Sequence, residues 1–87
     1  MRKKRGTIRR KIKGVVDGDT FITHTKIQGT NRIRIANMNA PERGQQGYGR
    51  AKQKLGRLKG EVVTLIPRAK SYGRLVADVR HRRRKIR

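Results

Sequence analysis

"TFITHTKIQGTNRIRIANM", residues 20–38, is the stretch on which the fold turns. Its first eight residues are rich in Thr, Ile and Phe, a composition that suits a half-buried pleated strand. "QGTN" (28–31) then supplies turn chemistry, so a hairpin into "RIRIANM" (32–38) is expected. In that second run Ile33 and Ile35 alternate with Arg32, Arg34 and Ala36. Period two puts one face in a core and leaves the other to water or a ligand.

Working outward, "TIRRKIKGVV" (7–16) mixes β-branched residues with bases and predicts a strand before the hairpin. "NAPERGQQGYG" (39–49) is too broken by Gly and Pro to be regular. Tyr48, Ala51, Leu55 and Leu58 then fall at i, i+3, i+7 and i+10, one stripe at helical spacing. Gly60 stands where a helix stop belongs. "EVVTLIP" (61–67) predicts a strand ended by Pro67. "GRLVADV" (73–79) predicts a last strand with Leu75, Ala77 and Val79 on one side. There is no internal repeat. Strand, strand, strand, helix, strand, strand is a mainly β order that suits a five-stranded barrel of the OB type, with one helix between strands three and four. Closure also removes exposed sheet edges. The domain is expected over residues 7–80, with a basic disordered arm at 1–6 and a basic tail at 81–87.

Eighty-seven residues make one small domain, and the lack of cysteine excludes disulfides and thiolate metal sites. No apolar run approaches the ~18 residues of a membrane span. The basic start "MRKKRGTIRRKIKG" is not followed by the apolar stretch of a signal peptide. A soluble, cytoplasmic monomer without a membrane partner is the expectation. The net charge of +21 is the dominant global feature. Charge of this size repels itself in the compact state unless a polyanion neutralises it. It concentrates at the ends: eight Lys/Arg in residues 1–13 and six in "RHRRRKIR" (80–87). Arg2, Lys3, Lys4, Arg5, Arg82, Arg83, Arg84 and Lys85 therefore read as phosphate contacts to DNA or RNA. Solubilising tails are the plainer explanation.

Against that background the five acids are unevenly placed. Asp17 and Asp19 share "VVDGDT" and Glu42 closes "NAPE". Both places fall at strand ends, where barrel loops converge. A hard cation takes carboxylate and carbonyl oxygens. Alternate residues of an extended strand point to opposite sides, so Asp17 and Asp19 meet one ion only if the chain kinks, which Gly18 would permit. "DGD" also makes a plain turn. Arg34, on the non-core face of its strand, and Arg74, after "SYG", are solvated cations taken singly. Taken with a metal and a carboxylate they match the needs of phosphodiester hydrolysis. Cations stabilise charge on phosphoryl oxygens, and a carboxylate positions or deprotonates water.

"VVDGDTF", "RIRIANMNAPE", "YGRAKQKL" and "SYGRLVADV" resemble, in order and spacing, the staphylococcal nuclease (thermonuclease) family over residues 7–80. The resemblance implies an OB-fold barrel that cleaves DNA and RNA with Ca²⁺, or with Mg²⁺ or another divalent metal in its place. It implies that Asp19 is the direct metal carboxylate, that Asp17 is an outer acid, and that Ala40 lends a backbone carbonyl. Glu42 matches the glutamate that handles the water. Arg34 and Arg74 match the phosphate-gripping pair, and Tyr72 a tyrosine near the bound nucleotide. Asn39 stands where the archetype has a second metal aspartate. Asparagine keeps a carbonyl oxygen but no charge, which implies weak metal binding and slow catalysis. The archetype also continues past the fifth strand into helices, where this sequence reads "HRRRKIR".

Three functions follow: a metal-dependent nuclease, a nucleic-acid-binding OB module without catalysis, and a basic assembly protein of RNA particles. The second is short of stacking rings, with only Phe21, Tyr48 and Tyr72 available. The third leaves the acid cluster unused.

Overall fold

A computed structural model describes residues 7–82 and 84–85 of the chain. The strands are β1 (Ile8–Asp17), β2 (Thr20–Ile27), β3 (Thr30–Ile35), β4 (Val62–Ser71), β5 (Arg74–His81) and β6 (Arg84–Lys85), with helix α1 (Tyr48–Gly56) between β3 and β4. The order across the sheet is β3-β2-β1-β4-β5-β6. A parallel pairing of β3 with β5 closes the first five strands into a barrel, with Ile33 opposite Leu75 and Ile35 opposite Ala77. The protein is a closed five-stranded barrel of the OB type.

The period-two residues fill it. Ile33, Ile35, Leu75, Ala77 and Val79 are buried, joined by Ile12, Phe21, Val63 and Leu65. Leu55 of α1 is buried in the same cluster, with Leu58 and Met38 packed at its margin. The outer residues of the same strands carry the charge. Arg34 lies across from Val76 in the parallel register, and Arg74 precedes it by two on β5. Both arginines therefore leave the barrel on the same face.

Two turns share one device. Gln28–Gly29 (φ 52° and 85°) and Tyr72–Gly73 (φ 53° and 75°) are left-handed at both positions, the geometry that matches strand twist in two-residue hairpins. The expected turn at 28–31 thus narrows to two residues, and Thr30 and Asn31 belong to β3. The tips of these hairpins are tied together: Thr30 Oγ1 donates to the Gly73 carbonyl at 2.8 Å, and Lys70 Nζ to the Gln28 carbonyl at 2.8 Å.

Three local expectations are corrected. Pro67 does not end its strand; β4 runs on to Ser71. Among the described residues the pairing of β4 with β1 ends at Leu65, and a register shift between Pro67 and Ala69 marks a bulge in its pairing with β5. A free edge or a bulge is where a strand tolerates a residue without an N–H. The helix ends at Gly56 rather than near Gly60. Leu58 and Lys59 bond back to Leu55 and Gly56, a tighter i→i−3 winding that carries the chain to Gly60 at φ 87°. Within the expected basic tail, Arg84 and Lys85 pair with His81 and Arg80 as β6. An all-cation run shows no alternation from which that strand could be read.

Gly18 answers why a glycine parts the two aspartates. Asp17 pairs with Thr20, so Gly18 and Asp19 form the tight turn between β1 and β2. Gly18 is buried. A Cβ there would lie 2.7 Å from the Ala51 Cβ and 2.8 Å from the Ala40 Cβ. The turn, the loop after β3 and helix α1 meet at that point, and only hydrogen fits. Gly18→Ala is expected to cost about 1–3 kcal/mol by overpacking and to push the helix and loop off the turn. Denaturant midpoints of the two proteins check this; equal midpoints would mean the junction gives freely.

Candidate active site

The tight turn puts Asp17 and Asp19 at one end of the barrel, beside the end of β3 and the loop that follows it. The Ile35 N–H donates to the Asp19 carbonyl at 2.8 Å, fastening the turn to β3. Asp17, Asp19, Arg34, Asn39, Ala40, Glu42 and Arg74 all line one cleft of about 980 Å³. They come from four segments: the β1–β2 turn, β3, the 39–42 loop and the start of β5. Three of the chain's five acids stand there, faced by Arg34, Arg43 and Arg74.

Asp19 is the most engaged of the acids. Its Oδ1 accepts from Thr20 Oγ1 at 3.1 Å. Its Oδ2 lies 3.5 Å from both the Ala40 N–H and Arg34 Nη2. With side-chain exposures of 27% for Arg34 and 15% for Asp19, this pair is partly shielded, so its attraction exceeds that of a fully exposed pair. Asp17 is held from another direction: Tyr48 Oη donates to its Oδ1 at 3.0 Å.

Asn39 is oriented by Arg34. Arg34 Nη2 donates to the Asn39 side-chain oxygen at 3.2 Å and to the Met38 carbonyl at 3.2 Å. One guanidinium thus ties the loop after β3 to Asp19. A neutral amide suits this position because Arg34 has one carboxylate partner already.

Glu42 differs from the other acids. Its backbone is fixed by a closed turn: the Glu42 N–H donates to Gln45 Oε1 at 2.7 Å, and the Gln45 N–H to the Glu42 carbonyl at 2.8 Å. Its carboxylate is exposed and makes no hydrogen bond or ion pair among the described residues. A carboxylate on a fixed backbone with free oxygens is available to accept a proton from water. Arg74 likewise has no side-chain partner among the described residues and is free to meet an anion.

The oxygen donors fit a hard divalent cation in kind: Asp19, the Asn39 amide oxygen, the Ala40 carbonyl and Asp17. In charge they are sparse. No group of three His, Cys, Asp or Glu side chains is placed to hold a metal among the described residues.

Tyr72 does not line the cleft. It sits at the β4–β5 turn, 92% exposed. Arg82 is exposed on the turn before β6, 4.0 Å from Glu61. Arg84 and Lys85 are described through their backbone pairing in β6. Arg2, Lys3, Lys4, Arg5 and Arg83 lie outside the described residues. Sequence reasoning missed Tyr48, Gln45 and Arg43. Its spacing places Tyr48 in the apolar stripe of the helix, but its hydroxyl is the part that reaches the site. A phenol at the first turn of a helix that follows a Gly-rich loop was the available signal. No helix among the described residues is long and apolar enough to cross a membrane. No protein-family model matches the chain, and no curated protein matches it.

Proposed function

We propose that the chain is a metal-dependent nuclease that hydrolyses phosphodiester bonds of DNA or RNA. The observation that carries the reading is the company Glu42 keeps: a carboxylate without partners lines the same cleft as two arginines and the Asp19 turn. The resemblance to the staphylococcal nuclease family supports it at the same positions.

In this mechanism Arg74 and Arg34 bind the phosphoryl oxygens and stabilise the charge that builds on them. Glu42 accepts hydrogen bonds from the attacking water and takes its proton. Asp19, Asn39 and the Ala40 carbonyl hold the cation, with Asp17 behind them. When bound, a divalent cation supplies further positive charge to the phosphoryl group and acidifies a coordinated water. The test is cleavage of single-stranded DNA and RNA in Ca²⁺, in Mg²⁺ and in EDTA. Cleavage with metal and none in EDTA is expected; none under any condition removes the reading.

The second reading, a binding module without catalysis, is favoured by the Arg34–Asn39 contact, which spends the amide oxygen on an arginine. Asn39→Asp tests whether residue 39 faces the cation. A unit charge and a dication 4 Å apart in water attract by about 2 kcal/mol. Arg34 offsets part of this, so calcium affinity is expected to rise roughly tenfold. Titration calorimetry reads it. An unchanged affinity would mean that residue 39 does not face the cation.

A further inference from the structure

Helix α1 and the turns after it, "YGRAKQKLGRLKG" (48–60), hold five bases and no acid. Arg50, Lys54 and Arg57 fall at i, i+4 and i+7, one line along the helix. All three are exposed. None makes an ion pair or side-chain hydrogen bond among the described residues, because every acid stands elsewhere: three line the cleft, Glu61 meets His81 and Arg82, and Asp78 meets Arg68.

This line is costly to the helix that carries it. Arg50 and Lys54 are like charges four residues apart, which destabilise a helix, and Arg50 in the first turn opposes the helix dipole, whereas Lys54 in the last turn has the sign the dipole favours. The N-cap is Gly47, with no side-chain cap bond and no acid in the first turn. The helix is nine residues long and contains Gly49 and Gly56, which lowers its intrinsic stability further. A polyanion lying along the line relieves the repulsion between the bases.

The placement says which polyanion. Lys54 and Arg57 border a groove whose other wall is Asn39, Ala40 and Pro41. Those same three residues line the cleft on their other side. The Lys54–Arg57 end of the row therefore lies across one loop from the cleft.

We propose that Arg50, Lys54 and Arg57 form a rail for the sugar–phosphate backbone of the nucleic acid whose scissile phosphate enters the cleft. The proposal rests on the nuclease reading for the identity of the polymer. It extends the contact surface to a face of the molecule that plays no part in the chemistry. The rail reads charge, not bases, so its contribution is independent of sequence and falls with salt.

The test is poly(dT) binding in EDTA, measured over a range of salt, for the whole chain and two triple variants. One is Arg50→Gln/Lys54→Gln/Arg57→Gln. The other, Lys11→Gln/Lys13→Gln/Lys26→Gln, removes the same charge from exposed strand positions. Glutamine keeps helix propensity, and circular dichroism confirms that both variants are folded. Each lost phosphate contact flattens the log–log salt slope by about 0.7 on a single strand. The rail variant is expected to lose about 2 from the slope and the control less than half of that. Equal slopes in the two variants would overturn the rail and leave the nuclease reading intact. Cleavage absent in every metal, with the rail variant still shallower, would remove the nuclease reading and keep the rail as a binding surface. A rail variant that releases phosphatidylserine vesicles while keeping its poly(dT) slope would assign the face to membranes and overturn the proposal.

Discussion

On the proposed mechanism, Glu42→Gln is expected to lower the rate of metal-supported cleavage about 10²–10⁴-fold, the usual contribution of a general base, and to leave oligonucleotide affinity in EDTA unchanged or slightly higher. The amide keeps the size and the turn with Gln45, whose bonds are to the Glu42 backbone. Only the ability to take a proton is lost. Affinity barely moves because one negative charge is removed from a chain carrying 26 bases. Arg74→Ala is the companion variant. It removes a donor aimed at the developing charge, worth about 10²–10³-fold in rate, and costs binding little. Single-turnover cleavage at saturating metal, set beside binding in EDTA, separates the two quantities. Full-rate cleavage by Glu42→Gln would sink the assigned base.

Phe21→Ala is expected to bring the domain to the margin of stability, with a substantial unfolded fraction at physiological temperature. Phe21 is the one phenylalanine, fully buried, paired with Val15 on one side and Ile33 on the other. Truncating a buried phenylalanine costs about 3–5 kcal/mol, against a stability of about 5–15 kcal/mol for domains in general, with small ones at the low end. The rest of the core is Ile, Leu, Val and Ala, and side chains fixed by a closed barrel have little room to move into the void. Urea titration followed by circular dichroism measures the loss. A cost under about 1 kcal/mol would mean that the barrel collapses around the site, and the rigid packing described above would be wrong.

Local alternation carried most of the fold. Ile33 and Ile35, and Leu75, Ala77 and Val79, are buried as their spacing in the sequence requires. What the sequence hid are facts about neighbours. Pro67 reads as a stop because proline lacks an N–H, and that lack is tolerated at the register shift between Pro67 and Ala69, a feature of the pairing with β5. Gly18 reads as a kink, but its need for hydrogen comes from Ala40 and Ala51, remote in sequence and in contact only after folding. At the site, the residue types were legible and their seven positions share one cleft. The contacts were not. Nothing in "RIRIANMN" says that Arg34 reaches forward to Asn39, because a helical or strand period describes faces and not the reach of a long side chain. The hydroxyl of Tyr48 escaped for the same reason.

The parallel seam between β3 and β5 also sets the order in which the molecule can be finished on a ribosome. β1, β2 and β3 emerge early and can pair as a meander, but Ile33–Ile35 has no second neighbour until Leu75–Ala77 has been synthesised. At about 5–20 residues per second that wait lasts seconds. Throughout it the edge of β3 is open to any other strand. The nascent chain already carries its N-terminal bases by then, and mutual repulsion keeps two such chains apart. The excess of positive charge thus opposes association of unfinished barrels.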